Sequence, residues 1–195
     1  MKHRLLYFPL IFLVVVASAQ KKFEVTDSRD GQVYPAIEFE IPLEGGVSVT
    51  RSWLTVNSNY ETEDSYCYKD EPAYCDKFGR LYTYEAAIHA CPEGWRIPTR
   101  EDWLLLFSLF GGITESGTIL MEGGESGMDI LLSGFGYSHE YFNKVGYEGN
   151  YWDSTEKGTH PDGIMTFRRG DKRVHYDDRS TNKKLNSVRC IKLHR

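Results

Sequence analysis

The stretch CPEGWRIPTREDW, residues 91–103, decides the fold, because it joins two predicted helices immediately after a cysteine. Thr83 can cap a helix through YEAAIHAC, in which Ile88 and Cys91 fall on the apolar face. Pro92 ends this helix, since its ring cannot continue a helical backbone. The spacing therefore predicts a helix corner whose cysteine faces the core and can be joined to a distant strand.

A second helix starts within the same stretch. Thr99 is its expected N-cap, and the tryptophans on either side of the corner are expected in the core. Arg80 and Arg96 are expected to pair with nearby acids such as Glu85. The apolar face of the second helix is formed by Trp103, Leu106, Phe107 and Phe110.

Strand patterns flank the helices. Residues 37–41 and 47–53 alternate apolar and polar side chains, and a Gly-Gly pair between them predicts a turn. GIMTFRR, RVHYDD and SVRCIKL are predicted strands near the C-terminus. The glycine-rich segment 111–149 predicts long loops with short strands. The fold class is therefore α+β, with two helices packed on a twisted antiparallel sheet.

The N-terminus has the pattern of an export signal. Basic residues precede an apolar run over residues 5–16, and Ala-Ser-Ala follows at residues 17–19. We predict a cleaved signal peptide over residues 1–19 and a single domain over 20–195, with its core at about 26–192. The predicted mature chain has no transmembrane span. No cysteine stands near the cleavage site, so we expect export to the periplasm, the outer surface or the medium, and no lipoprotein anchor.

The overall charge argues against nucleic acid as a partner. The chain has 23 Lys and Arg against 28 Asp and Glu, a net charge of −5. A phosphate backbone requires clustered cations, and here acids are interleaved with the basic residues.

The cysteine count favours disulfides over zinc. An exported chain with four cysteines and no C-x-x-C pair is typical of disulfide bonding. Four cysteines allow three pairings. Cys67 and Cys75 flank the turn-rich segment YKDEPAY and would form a hairpin or loop staple, which leaves Cys91 to pair with Cys190.

From about residue 26 to residue 192, the chain resembles the Fibrobacter succinogenes major paralogous domain family. The resemblance rests on the order of several fragments: TDSRDGQVY, SYCY, FGRLYTYEAA, ACPEGWRIPTREDW, SGF, YWDST and SVRCIK. Trp53 and Asn57 match the family pattern, whereas Asp153 stands where the family usually has serine. The resemblance implies an exported bacterial domain with a fold similar to C-type lectins and formylglycine-generating enzymes. The pairing of Cys91 with Cys190 would match the conserved bridge of C-type lectins.

Two sugar-binding hypotheses follow. C-type lectins bind sugars through Ca²⁺, which takes six to eight oxygen ligands. Here EGNYWDS offers Glu148, Asn150 and Asp153 as metal ligands; the alternative is a polar turn before a buried Tyr-Trp pair. In the second hypothesis, no cofactor is needed and exposed rings stack on the sugar. That platform would be formed by the tyrosine-rich region from Tyr60 to Tyr84 and by Tyr137, Tyr141, Tyr147 and Tyr151, unless these aromatics belong to the core.

No catalytic motif stands out. There is no G-x-S-x-G, and the histidines are scattered. An oxidase related to formylglycine-generating enzymes would need free cysteines. We therefore predict a non-catalytic recognition or structural module whose ligand is a glycan or a surface protein. An enzyme of that fold group and a calcium-dependent lectin are the alternatives, and the 111–149 loops are the expected ligand site.

Overall fold

The computed structural model describes residues 20–155, 163–177 and 184–194. The predicted signal peptide lies outside these residues. Within the described ranges, no helix is long and apolar enough to cross a membrane. The chain forms an α+β domain with short helices on antiparallel sheets.

Eleven strands and four α-helices are formed by the described residues. The strands are β1 Lys21–Thr26, β2 Val33–Pro42, β3 Ser48–Leu54, β4 Ser65–Tyr66, β5 Leu81–Tyr82, β6 Phe135–Ser138, β7 Tyr141–Asn143, β8 Glu148–Asp153, β9 Gly163–Arg168, β10 His175–Asp177 and β11 Ile191–Leu193. The helices are α1 Pro72–Phe78, α2 Tyr84–Ala87, α3 Arg100–Ser108 and α4 Ser116–Leu120.

The largest sheet has four antiparallel strands in the order β1-β2-β3-β11. Trp53 in its centre lies opposite both Ile37 and Ile191, and all three side chains are fully buried. Lys22 lies opposite Ile37 on the edge strand β1. A second sheet has the order β10-β9-β8, and two two-stranded sheets, β4-β5 and β6-β7, complete the fold.

The central strands of the large sheet bury both of their faces. On one face, Trp53 packs against Trp103 of α3 with ring centroids 4.8 Å apart. On the other face, Leu54 joins a cluster that contains α2 and the second disulfide. Because both faces are buried, apolar side chains of β2 point to both sides of the sheet where the strand crosses the core.

Both predicted disulfides are confirmed. Cys67 is bonded to Cys75, and Cys91 is bonded to Cys190 with Cα atoms 5.7 Å apart. The second bond joins the helix corner to the residue that precedes β11. All four cysteines of the chain are therefore paired.

The prediction of one helix through YEAAIHAC was wrong in its length. The helix α2 ends at Ala87, and the side chain of Ile88 is 54% exposed and not in the core. The amides of His89 and Ala90 bond to carbonyls three residues back, which tightens the chain into turns. The physical reason is that a residue before proline disfavours the helical region, so the backbone must leave the helix before Cys91.

The prediction of only two helices was also wrong. Helix α1 contains Cys75, where we expected a hairpin or loop, and α4 lies within the segment expected to hold only loops and short strands. Pro72 at the first position of α1 and Gly79 at its end are typical helix boundaries that the sequence reading missed.

The predicted caps are confirmed. Thr83 accepts a hydrogen bond from the amide of Ala86, and Thr99 forms a reciprocal capping box with Asp102. The arginines pair with acids as expected, but not with Glu85. Arg96 lies 2.7 Å from the Asp102 carboxylate, and Arg80 lies 2.7 Å from that of Glu61.

Candidate functional site: a groove around Lys77

Four neighbouring depressions of the surface meet at Lys77, which is exposed near the end of α1. Their volumes are about 810, 380, 410 and 210 Å³. Adjoining depressions share further residues such as Leu131 and Gly146. We call the combined surface the Lys77 groove. Its principal lining residues are Lys22, Glu24, Pro35, Thr55, Val56, Ala73, Tyr74, Lys77, Phe78, Glu122, Asp129, Leu131, Gly146 and Arg169.

The groove lies over the part of the large sheet that α3 does not cover. Because paired residues of an antiparallel sheet point to the same face, Lys22 shares the face of Ile37, and Glu24 shares that of Pro35. The amide of Thr55 bonds to the Pro35 carbonyl at 2.8 Å. The floor is therefore hydrogen-bonded sheet, and the walls come from α1 and from the loop 122–131.

Helix α1 forms one wall and is fixed at two points. The Cys67–Cys75 bond holds its middle. At its end, the Asn57 side-chain amide donates to the carbonyl of Phe78 at 2.8 Å. Gly79 follows with a φ of +70°, and a Cβ there would lie 2.6 Å from the carbonyl oxygen of Ser58. Only glycine permits this close approach, which keeps Lys77 in place over the groove.

The loop 122–131 forms the opposite wall and is held from below by Arg189. This fully buried guanidinium donates to the carbonyls of Leu54, Met128 and Asp129 at 3.2, 3.2 and 3.1 Å. Within the described residues it has no carboxylate within 4.0 Å. Burial lowers the pKa of Arg189, because removal from water penalises its charge.

A second contact holds the end of the same loop. The Tyr151 hydroxyl accepts from the amide of Leu131 at 3.0 Å and donates to its carbonyl at 2.6 Å. Gly149 lies beside this pair, and a Cβ there would come 2.3 Å from the Leu131 carbonyl oxygen. Met128 and Ile130 of the loop are fully buried in the main core. The wall is therefore built into the fold and does not depend on a ligand.

The groove carries charges of both signs that are not used in ion pairs. Lys22, Lys77, Glu24, Glu122 and Asp129 form no ion pair within 4.0 Å with a described residue. One Asp129 carboxylate oxygen accepts from the amide of Gly123 at 3.3 Å. These side chains are therefore free to bond to a ligand.

The predicted tyrosine platform is only partly assembled. Tyr137 and Tyr141 lie on the β6-β7 hairpin, are about half exposed, and have ring centroids 5.6 Å apart. Tyr147 is exposed but lies elsewhere, under the guanidinium of Arg169 at 4.8 Å from its ring centroid. The assignment of Tyr151 to a ligand surface was wrong, because its side chain is fully buried under the loop that it holds.

The structure does not bring the three predicted calcium ligands together. All lie on β8 and are buried, but Asp153 faces the opposite side of the strand from the other two. Glu148 pairs with Lys144 and Arg168, and Asn150 accepts from the Thr166 hydroxyl at 2.9 Å. Asp153 accepts from the amide of Thr155. Burial raises the pKa of Asp153.

The described residues contain no cluster of three or more His, Cys, Asp or Glu side chains that could hold a metal ion. The four cysteines are in disulfides, so the chain has no thiol for cysteine-based oxidation. What the site offers is a preformed surface with unpaired charges.

The tyrosine-rich region 60–84, predicted as part of a sugar-binding platform, includes Tyr74 of the α1 wall. The expected ligand region 111–149 includes the loop 122–131. Lys77 was missed, although Pro72 and Gly79 mark its helix. No local sequence signal could place Lys22 and Pro35 in the same site as Lys77, because the pairing of β1 with β2 brings them to the groove.

The class that the fold defines is a disulfide-bonded α+β domain, and its two disulfides are consistent with an extracytoplasmic protein. The chain belongs to the family described as the Fibrobacter succinogenes major domain, whose model matches residues 47–192. No curated protein and no solved structure matches the chain. Strands β1 and β2 precede the matched residues, so part of the groove floor is formed outside the family match.

Proposed function

We propose that the protein is an exported, non-catalytic recognition module that binds a glycan or a surface protein in the Lys77 groove. The observation that carries this proposal is a large groove between two walls that are already fixed in the free protein. A ligand that enters a preformed site does not have to order it, so less of the interaction free energy is lost.

The charges of the groove support binding over chemistry. Glu122 and Asp129 line it with Lys77. The pKa values of catalytic acids and bases are usually shifted by burial or by a close charged partner. The buried carboxyl whose pKa is raised, that of Asp153, does not line the groove. The enzyme alternative drawn from formylglycine-generating enzymes would further require a free thiol.

Two disulfides favour an oxidising compartment and therefore export. We further propose that the fold belongs to the C-type-lectin-like group. The Cys91–Cys190 bond, which joins the helix corner to the start of the last strand, is the bridge expected of that group. Asn150 and Glu148 already have protein partners, so we propose that binding needs no calcium.

The test is a binding screen of the purified protein on immobilised glycans and extracellular proteins, with calcium and again with chelator. Ala73 is exposed on α1 and lines the groove, so Ala73→Trp fills part of it without changing the core. We expect binding that survives chelator and is lost in Ala73→Trp. Binding that requires calcium would favour the lectin alternative, and binding unaffected by Ala73→Trp would overturn the groove as the site.

A further inference from the structure

We infer that the ligand of the Lys77 groove is a neutral oligosaccharide that packs a sugar ring against Tyr74 and Phe78. This inference rests on the proposed function and names the ligand class of the same site. It places the sugar-stacking surface on α1 and not on the tyrosines of the β6-β7 hairpin.

Two aromatic rings on α1 form a near-parallel pair in the groove. Tyr74 and Phe78 are four residues apart, so they lie on the same face of the helix. Their planes differ by 20° and their centroids are 6.1 Å apart. Both are partly exposed, and both line the 410 Å³ part of the groove. The buried ring of Tyr68 supports Tyr74 from behind at 5.1 Å between centroids.

Such rings suit the apolar face of a pyranose. An aromatic face carries partial negative charge, and the C–H groups of a sugar present partial positive charge to it. The Lys77 ammonium already lies 5.0 Å from the Phe78 ring centroid. Its three N–H donors therefore lie beside the aromatic pair, within reach of the hydroxyls of a sugar that packs there.

The mixture of charges favours a neutral sugar over an acidic one. A hydroxyl is both donor and acceptor, so it can bond to Lys77 on one side and to Glu122 or Asp129 on the other. For a polyanionic chain, repulsion by Glu24, Glu122 and Asp129 would offset the attraction of Lys22, Lys77 and Arg169. The unpaired charges of both signs are therefore satisfied together by uncharged hydroxyl groups.

The floor of the groove argues against an extended peptide. A peptide that adds to a sheet needs a strand edge with free amides and carbonyls. Under the groove, Ala36 is paired with Phe23 on one side and with Leu54 on the other. The groove thus runs over a sheet face, where side chains and not backbone groups are available to a ligand.

The extended shape of the groove matches several sugar units. The depressions continue from Pro35, past Lys77, to Gly146 beside Arg169. A ligand of one or two units would fill only the part beside Tyr74 and Phe78. Affinity should therefore rise with the number of units.

The test is calorimetric titration with neutral hexasaccharides of cellulose, xylan and mannan, their disaccharides, an acidic oligogalacturonate and a random peptide mixture. We expect at least one neutral hexasaccharide to bind, and its disaccharide to bind more weakly. Lys77→Ala should weaken binding by about tenfold, and Ala73→Trp should abolish it. Lys172→Ala is the matched control, because that lysine is 69% exposed and does not line the groove.

Tyr74→Ala and Phe78→Ala should each weaken binding, and the Ala73→Trp block keeps the test decisive if either variant folds poorly. Tighter binding of the acidic oligosaccharide, or no binding of any neutral one, would overturn the inference. Peptide binding that Ala73→Trp abolishes would overturn the sugar assignment but support the groove as a recognition site. If sugar binding is lost in Tyr137→Ala and retained in Ala73→Trp, both the Lys77 groove as the binding site and α1 as the sugar-stacking surface would be overturned.

Discussion

Arg189 donates a hydrogen bond to the backbone carbonyl of Asp129 at 3.1 Å, so the residue next to Cys190 supports the wall of the Lys77 groove. The same guanidinium bonds to Leu54 at the end of β3. A single buried side chain therefore ties the central sheet, the last disulfide and the groove together. This contact adds to the backbone hydrogen bonds that the loop makes with the end of α4, so the loop is fixed without a ligand.

Replacing Arg189 should loosen this wall. Arg189→Met removes the donors to the carbonyls of Leu54, Met128 and Asp129, two of them in buried hydrogen bonds, which should lower the free energy of unfolding by about 2 kcal/mol or more. Arg189→Lys keeps the charge but loses the planar fork of donors. Its free energy of unfolding should therefore lie between those of the native protein and Arg189→Met. Urea denaturation measures the loss, and hydrogen exchange should rise at residues 128–131. Unchanged exchange there would contradict the role of Arg189 in holding the loop.

The Asp27–Arg29 pair should make stability depend on acid. Asp27 is fully buried, and Arg29 contacts both of its carboxylate oxygens. The hydrogen bond from Arg29 lowers the pKa of Asp27 from its ordinary 3.8. Since the folded pKa is below the unfolded one, the contribution is present above about pH 3.8 and is lost as pH falls through the folded pKa.

Asp27→Asn is the corresponding variant. It should cost about 2 kcal/mol at neutral pH, because an amide cannot form the same charged pair. The difference from the native protein should shrink as the pH is lowered below the unfolded pKa of Asp27. Thermal unfolding at a series of pH values measures this, and a difference that grows in acid would have the wrong sign.

Asp153 should show the opposite dependence. Burial raises the pKa of its carboxyl above 3.8, so the folded protein holds this proton more tightly than the unfolded chain. Stability should therefore fall as pH rises from the unfolded pKa through the folded one. Asp153→Asn keeps an oxygen to accept from Thr155 and should remove this fall. Thermal unfolding of both proteins over the same pH series checks this. The stability of Asp153→Asn relative to the native protein should be greater at pH 7 than at pH 4. The reverse order would contradict a raised pKa for Asp153.

The two disulfides should contribute unequally. The chain-entropy relation gives about 4.7 kcal/mol for a closure of about 100 residues and about 2.5 kcal/mol for a closure of about 8. The Cys91–Cys190 pair, 99 residues apart, should therefore matter more than the Cys67–Cys75 pair, 8 residues apart, when each is replaced by alanines. Denaturation of the two double variants measures this order.

The shorter bond should nevertheless matter more for the groove. It fixes the helix that carries Lys77, so its removal should reduce ligand binding beyond what the loss of stability explains. Equal binding by the native protein and the Cys67→Ala, Cys75→Ala double variant would show that α1 is held without it.

Local signals predicted a useful part of the fold. The caps at Thr83 and Thr99 and the pairing of the cysteines follow from residue type and spacing, and the structure confirms them. The end of α2 did not follow, because Pro92 disfavours a helical backbone at Cys91, and the apolar spacing that had placed Ile88 inside assumed a helix up to that residue.

The site was harder to predict for a different reason. All six residues of β8 are buried, so alternation could not separate core from surface, and Tyr151 was assigned to the wrong one. The groove joins Lys22, Lys77 and Asp129, which are brought together by strand pairing, a disulfide and a buried arginine. Each of these is a long-range contact, which no short window of sequence encodes.

The most direct test of the groove is nuclear magnetic resonance of the labelled protein with any ligand that the binding screen identifies. The groove assignment predicts that amide shifts move at Lys77, Glu122 and Asp129 and are unchanged at Tyr137 and Tyr141. Shifts confined to the β6-β7 hairpin, with none around Lys77, would contradict it.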